Sequence, residues 1–157
     1  MPAEHDRRLQ RLAELATLPG VPVGTRVYVV ENDLVYRSAG TTRPEIAARL
    51  SWTQANVWMP DDRIEAMREK RVFPDPVVTA NLLLRDPDSV HLSDRGPNMI
   101  YFLARGAKLR MAGALTSSST RYVDLVVELR VAGPDLWLRL FHLSPTGRNK
   151  GGRQVWP

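Results

Sequence analysis

The sequence predicts an α+β domain, with N-terminal helices packed on one face of a four- to five-stranded antiparallel meander. Three observations carry this. Before Arg85, apolar residues recur at helical spacing behind Pro- and Asp-containing start signals. After Arg85 they alternate and break at Gly, Pro and Ser with no helical period. The breaks in that second half are short, which makes successive strands antiparallel neighbours. With 157 residues, 43% hydrophobic and 25% charged, the chain has the length and composition of a globular domain that can bury a substantial core.

Leu9, Leu12, Leu15 and Leu18 lie at helical spacing, and Pro19-Gly20 ends that helix. Thr25–Val30 and Leu34–Arg37, separated by Glu31-Asn-Asp33, read as a hairpin. Thr42-Arg-Pro-Glu45 has capping-box spacing with Pro in the first turn, predicting a short helix to about Leu50. The stretch from Trp52 to Trp58 reads as a connection, and Pro60-Asp-Asp62 starts a helix through Arg71. Asp75-Pro76 pairs an N-cap with Pro at the first helical position and opens a helix to Leu84. The expected strands that follow are Ser89–Leu92, Asn98–Ala104, Lys108–Leu115, Arg121–Arg130 and Leu136–Leu143. In the fourth of these, Val123, Leu125, Val127 and Leu129 face one way, while Tyr122, Asp124, Glu128 and Arg130 form a partly wet face.

Two segments are distinguished: an N-terminal helix-and-hairpin extension over 1–58 and an α+β domain over 59–157, or else one compact domain over 1–157. The chain has no Cys, so thiolate chemistry and disulfides are excluded. No apolar run reaches the length of a membrane span and the N-terminus opens no signal-peptide core, so the chain reads as cytoplasmic, or as delivered into a target or host cell by other machinery. P-loop, dinucleotide, nucleophile-elbow and zincin motifs are absent. His5, His91 and His142 are scattered, with no Asp, Glu or Cys at ligand spacing, so neither a metal nor a cofactor is expected. His5 and His91 read as surface residues, and Trp52, Trp58 and Trp137 as core.

Charge is local. The net charge is +5, and the 22 residues from Leu136 onward carry +4 of it, through Arg139, Arg148, Lys150 and Arg153, with no acidic residue. Part of this tail is Gly-rich and hydroxyl-bearing, Ser144-Pro-Thr-Gly-Arg-Asn-Lys-Gly-Gly-Arg153, a backbone that can approach an anion closely. An anionic partner, nucleic acid first of all, follows, with Lys108 and Arg110 counted on the same basic face. Trp156 after the basic stretch implies a tail docked against the body rather than frayed.

The helix with Arg68, Lys70 and Arg71, the Pro-Asp-Pro step, Arg85-Asp-Pro-Asp-Ser-Val90, Tyr122-Val-Asp-Leu-Val-Val127 and the ending Leu140-Phe-His-Leu-Ser-Pro-Thr-Gly-Arg-Asn-Lys-Gly-Gly-Arg-Gln-Val-Trp156 resemble, in that order, the barnase, EndoU, colicin and RelE-like (BECR) nuclease superfamily, in particular its phage-associated branches. The resemblance covers about Pro60 to Pro157 and is one of pattern. It implies a metal-independent ribonuclease, phage or toxin associated, acting on RNA, with an immunity or host protein as a further partner. It places Thr146 at the hydroxyl that ends the last strand and Lys150 at the basic position after it. His142 falls where the family often has a small polar residue, and Arg68 and Arg71 stand near a helical Arg-His pair. The His of that pair is missing, since Val72 and Phe73 follow Arg71.

Metal-free RNA cleavage needs a base for the 2′-hydroxyl, an acid for the leaving 5′-oxygen and fixed cations on the developing charge. His142, Thr146, Lys150, Arg71 and Arg68 are the candidate catalytic set, with Glu65 as a second base. Arg139, Arg148, Lys150, Arg153, Lys108 and Arg110 are the candidate nucleic-acid contacts. The alternative is a noncatalytic phage or mobile-element protein that binds host nucleic acid or a host protein through the same basic face. The missing helix histidine favours it.

Overall fold

The computed structural model describes residues 4–52, 56–96, 98–133, 136–146 and 152–157. Among these, the helices are α1 (Glu4–Thr17), α2 (Pro44–Leu50), α3 (Asp61–Glu69), α4 (Pro76–Arg85) and α5 (Gly106–Met111). The strands are β1 (Arg26–Val29), β2 (Leu34–Ser38), β3 (Val57–Pro60), β4 (Ser89–Leu92), β5 (Met99–Arg105), β6 (Tyr122–Gly133), β7 (Leu136–Thr146) and β8 (Arg153–Trp156). The class is α+β. No described helix is long and apolar enough to cross a membrane.

The strands form one sheet in the order β1-β2-β3-β7-β6-β5-β4-β8, antiparallel except where β3 runs parallel to β7. This corrects the four- to five-stranded meander. Strands β4 to β7 are that meander, but β1 to β3 extend it past β7 and β8 extends it past β4, so strands from both expected segments share the sheet. β3 lacks alternation because Val57, Trp58 and Met59 are all buried, one face against each layer, which turns a strand into a plain apolar run. Lys108–Leu115, expected as a strand, is instead the end of α5 and a turn. Ala, Lys, Leu, Arg and Met are good helix formers, and Arg110 uses its guanidinium to hold the following loop through the Ser117 and Thr120 carbonyls, at 2.9 and 2.8 Å.

Helices lie on both faces of the sheet, not on one. Ile46, Ile64, Leu83 and Leu109, drawn from α2 to α5, pack with Phe102, Leu125 and Phe141 in the larger core. Leu15 and Ala16 of α1 pack on the opposite face, over Tyr36, Trp58 and Leu138. Asn56 fixes where α1 ends. Its side chain accepts from the Val21 amide at 3.1 Å and donates to the Pro19 carbonyl at 2.9 Å, tying the exit from α1 to the start of β3.

The two helix-start signals have different fates. Asp75 caps α4, accepting from the Val77 and Val78 amides at 3.2 and 3.5 Å. Thr42 does not form the expected capping box; Arg43 is the N-cap of α2 and makes no side-chain cap bond. The buried Thr42 hydroxyl donates instead to the Leu84 carbonyl at 2.6 Å, satisfying an acceptor in the last turn of α4 that would otherwise be orphaned.

Candidate functional site

Residues directly opposed in a ladder share a face. On the α1 side of the sheet, pairing sets His142 beside Val126, Val126 beside Tyr101 and Tyr101 beside His91 in one row. The next row runs Ser144, Asp124, Leu103, Ser89. A face that packs on apolar residues at its α1 end thus turns polar beyond that helix. There it forms the floor of a groove of about 520 Å³, walled by Asp62 and Arg63 at the start of α3.

Within this groove His142 is exposed on β7, while Asp124 on β6, diagonal to it, is 1% exposed. Glu128 and Arg130 also line it and pair with each other, Arg130 Nε and Nη2 lying 3.2 and 3.3 Å from the two carboxylate oxygens. Arg63 lines the groove with no ion pair among the described residues. The lining therefore carries three carboxylates, one buried, against two guanidinium groups. No three His, Cys, Asp or Glu side chains come together as a metal-binding group among the described residues.

The structure gathers only part of the candidate set here. Thr146 ends β7 on the same face as His142, opposite Tyr122, about 13 Å farther along the strand. Arg68 and Arg71 do not line the groove: α3 packs Ile64 and Met67 into the core on the other face. Arg68 pairs with Glu65 at 3.2 Å, and the Arg71 carbonyl accepts from the Thr116 hydroxyl at 2.7 Å. Arg139 is 6% exposed, its guanidinium 4.8 Å from the centre of the Trp52 ring, and burial pushes its pKa down. It is a core cation rather than a surface contact. Lys108 is held by Asp86 and Asp88 at 3.1 and 3.4 Å, and Arg110 by the loop carbonyls. Arg153 is exposed on the edge strand β8. Arg148, Lys150 and the His5 side chain lie outside the described residues.

Trp58 is core as expected, but Trp137 is 40% exposed. His91, expected at the surface, is 5% exposed. Its Nε2 sits 2.8 Å from the Ser89 hydroxyl, and its Nδ1 has no hydrogen-bond partner among the described residues. Burial lowers its pKa below the usual histidine value. The unfolded chain then binds the proton more readily than the folded one, so stability rises with pH between the folded value and about 6.5. Acidification from pH 7.5 to 5 is expected to lower the melting temperature of the parent chain more than that of His91→Gln. Equal losses would remove His91 from the account.

The residues that sequence reasoning left out of the site are Asp124, Tyr101, Ser144, Arg63 and Glu128. The wet alternation of β6 was the signal for Asp124 and Glu128. Nothing local links them to His142, because ladder register alone makes them neighbours. Comparison of the chain with protein-family models, curated proteins and solved structures returned no match.

Proposed function

We propose that the chain is a metal-independent ribonuclease-like domain that cuts RNA by attack of the substrate's own 2′-hydroxyl. The observation that supports this best is an exposed imidazole, His142, standing in a groove beside carboxylates and the Arg63 guanidinium, which has no ion pair among the described residues. In this reading His142 and a groove carboxylate, Glu128 or Asp62, share the proton transfers. One takes the proton as O2′ bonds to phosphorus, and the other protonates O5′ as the P–O5′ bond breaks, leaving a 2′,3′-cyclic phosphate and a free 5′-hydroxyl. Arg63 offsets the charge that develops on the phosphate oxygens. Association with a phage, or with a toxin and its immunity protein, rests on the family resemblance alone.

The expected result is cleavage of total RNA by the purified chain in EDTA, with 2′-O-methyl RNA and DNA left intact. Activity that returns only with Mg²⁺, or equal cutting of DNA, would sink the reading. The placement of His142 and of Arg68 and Arg71 on opposite sides of the sheet favours a second reading, a noncatalytic module that binds host nucleic acid or a host protein. Tight binding with no cleavage would establish it.

A further inference from the structure

We propose that β1, an outer strand of the sheet, pairs antiparallel with β1 of a second copy of this chain, joining the two sheets into one across a twofold axis at Val27.

The two edges of the sheet are built differently. At β8 the ladder with β4 is broken by a register shift between Val90 and His91, and Pro157 follows the strand at once. Irregular pairing and proline both blunt an edge. β1 has neither: it pairs with β2 in unbroken register from Arg26 to Val29 and contains no Pro. The Thr25 carbonyl accepts from the Ser38 amide at 2.9 Å, so Thr25 faces β2. Antiparallel ladders alternate, so Val27 and Val29 face β2 as well, and Arg26 and Tyr28 turn their N–H and C=O groups outward.

Those two residues select the partner. In the one antiparallel register that uses both, Arg26 of each copy lies opposite Tyr28 of the other, and four main-chain hydrogen bonds close. The side chains agree with it. Arg26 is exposed, has no ion pair among the described residues and stands directly opposite Arg37, whose own charge is met by Asp61 at 2.7 Å. Two like charges opposed in a ladder leave the outer one in need of an anion. Tyr28 is 56% exposed and donates its hydroxyl to Asp33 at 2.6 Å, and Asp33 also has no ion pair among the described residues. Across the axis each Arg26 meets an aromatic ring with a carboxylate at its hydroxyl end, and no Arg26 opposes another. The edge is therefore complementary to itself. With the axis normal to the sheet, the two grooves open on the same side, roughly 30–35 Å apart at seven strand spacings from β7 to β7.

The contact is small, so the dimer is expected to be weak and to dissociate on dilution. Sedimentation equilibrium of the full chain over the micromolar to millimolar range measures this. Arg26→Glu, which sets a carboxylate against Asp33 of the second copy, is expected to weaken association by about tenfold or more. Arg26→Pro removes one outward N–H at the first residue of an edge strand, a position that tolerates proline, and is expected to do the same. Melting curves check that both variants fold. The register is read by cross-linking, since the chain has no Cys. Val27→Cys brings two thiols together at the axis, on Cα atoms about 4.5 Å apart and within disulfide reach, and is expected to form a covalent dimer readily on mild oxidation. Val30→Cys, opposite Gly24 of the second copy, is expected to cross-link far more slowly. Faster cross-linking at Val30→Cys, or a dimer unmoved by both Arg26 substitutions, would overturn the proposal. A parent chain that stays monomeric at the highest concentration would overturn it too, and would leave the edge to a strand of another protein.

Discussion

His142→Ala is expected to lower the rate of RNA cleavage by about a hundredfold or more, the usual scale for losing a positioned proton-transfer group. The side chain is exposed on β7, so its removal deletes no core contact, and the melting temperature should stay close to that of the parent chain. Kinetics and folding can therefore be read separately. His142→Gln keeps hydrogen bonding but cannot take up and release a proton, and it should be nearly as slow as the alanine variant if proton transfer is the role. Arg63→Ala should cost less than His142→Ala, since it removes one charge among several groups. Arg68→Ala and Arg71→Ala should change little, because neither lines the groove: Arg68, in the last turn of α3, pairs with Glu65, and Arg71 lies in the turn after that helix, its carbonyl held by the Thr116 hydroxyl. Single-turnover cleavage of a defined oligoribonucleotide measures all five. A large loss in Arg71→Ala with full activity in His142→Ala would move the site off this face of the sheet.

That reversal of roles shows what the sequence could and could not convey. Local signals were reliable where one element decided the outcome. Pro19-Gly20 stops α1, Asp75-Pro76 caps and opens α4, and strand β4 has the expected bounds. They misled where a distant partner decided it. The Thr42 hydroxyl had the spacing for a cap, but the Leu84 carbonyl had the stronger need, being in a helix end buried beside it. β3 and β8 are four-residue strands whose partners lie far along the chain, so nothing in their own composition marks them.

For the site, parity on one strand carried more information than charge. Arg139 and His142 differ by an odd number of positions, and strand side chains alternate, so the two could not share a face once β7 was recognised. Arg139 went into the core against Trp52, and His142 went to the open face. What remained illegible was the company His142 keeps. Asp124 and Tyr101 become its neighbours only through the pairing of β5, β6 and β7.

Deleting residues 153–157 is expected to cost roughly 2–4 kcal/mol of stability and to lower the melting temperature by about 5–15 °C at this chain length. Strand β8 is docked by several independent contacts. Val155 and Trp156 pack against the larger core, and the strand pairs with β4 at Val90, His91 and Leu92. The Arg43 and Arg49 guanidinium groups lie 5.2 and 5.7 Å from the centre of the Trp156 ring, and Arg49 Nη1 donates to the Val155 carbonyl at 3.2 Å. Gly152 passes so close to the Leu92 carbonyl, at a φ of 97°, that no Cβ fits there. Trp156→Ala should produce a large part of the loss, because it removes the apolar area and the face on which both cations sit, each such contact being worth about 0.5–1 kcal/mol at an exposed site. Trp156→Phe should recover part of it, and Gly152→Ala should be destabilising without touching any side chain. Scanning calorimetry on the four variants separates these contributions. If the deletion and Trp156→Ala both melt with the parent chain, β8 is not held in place. Arg153 then loses its fixed position at the sheet edge, and the basic tail reverts to a solvated end that presents charge without placing it.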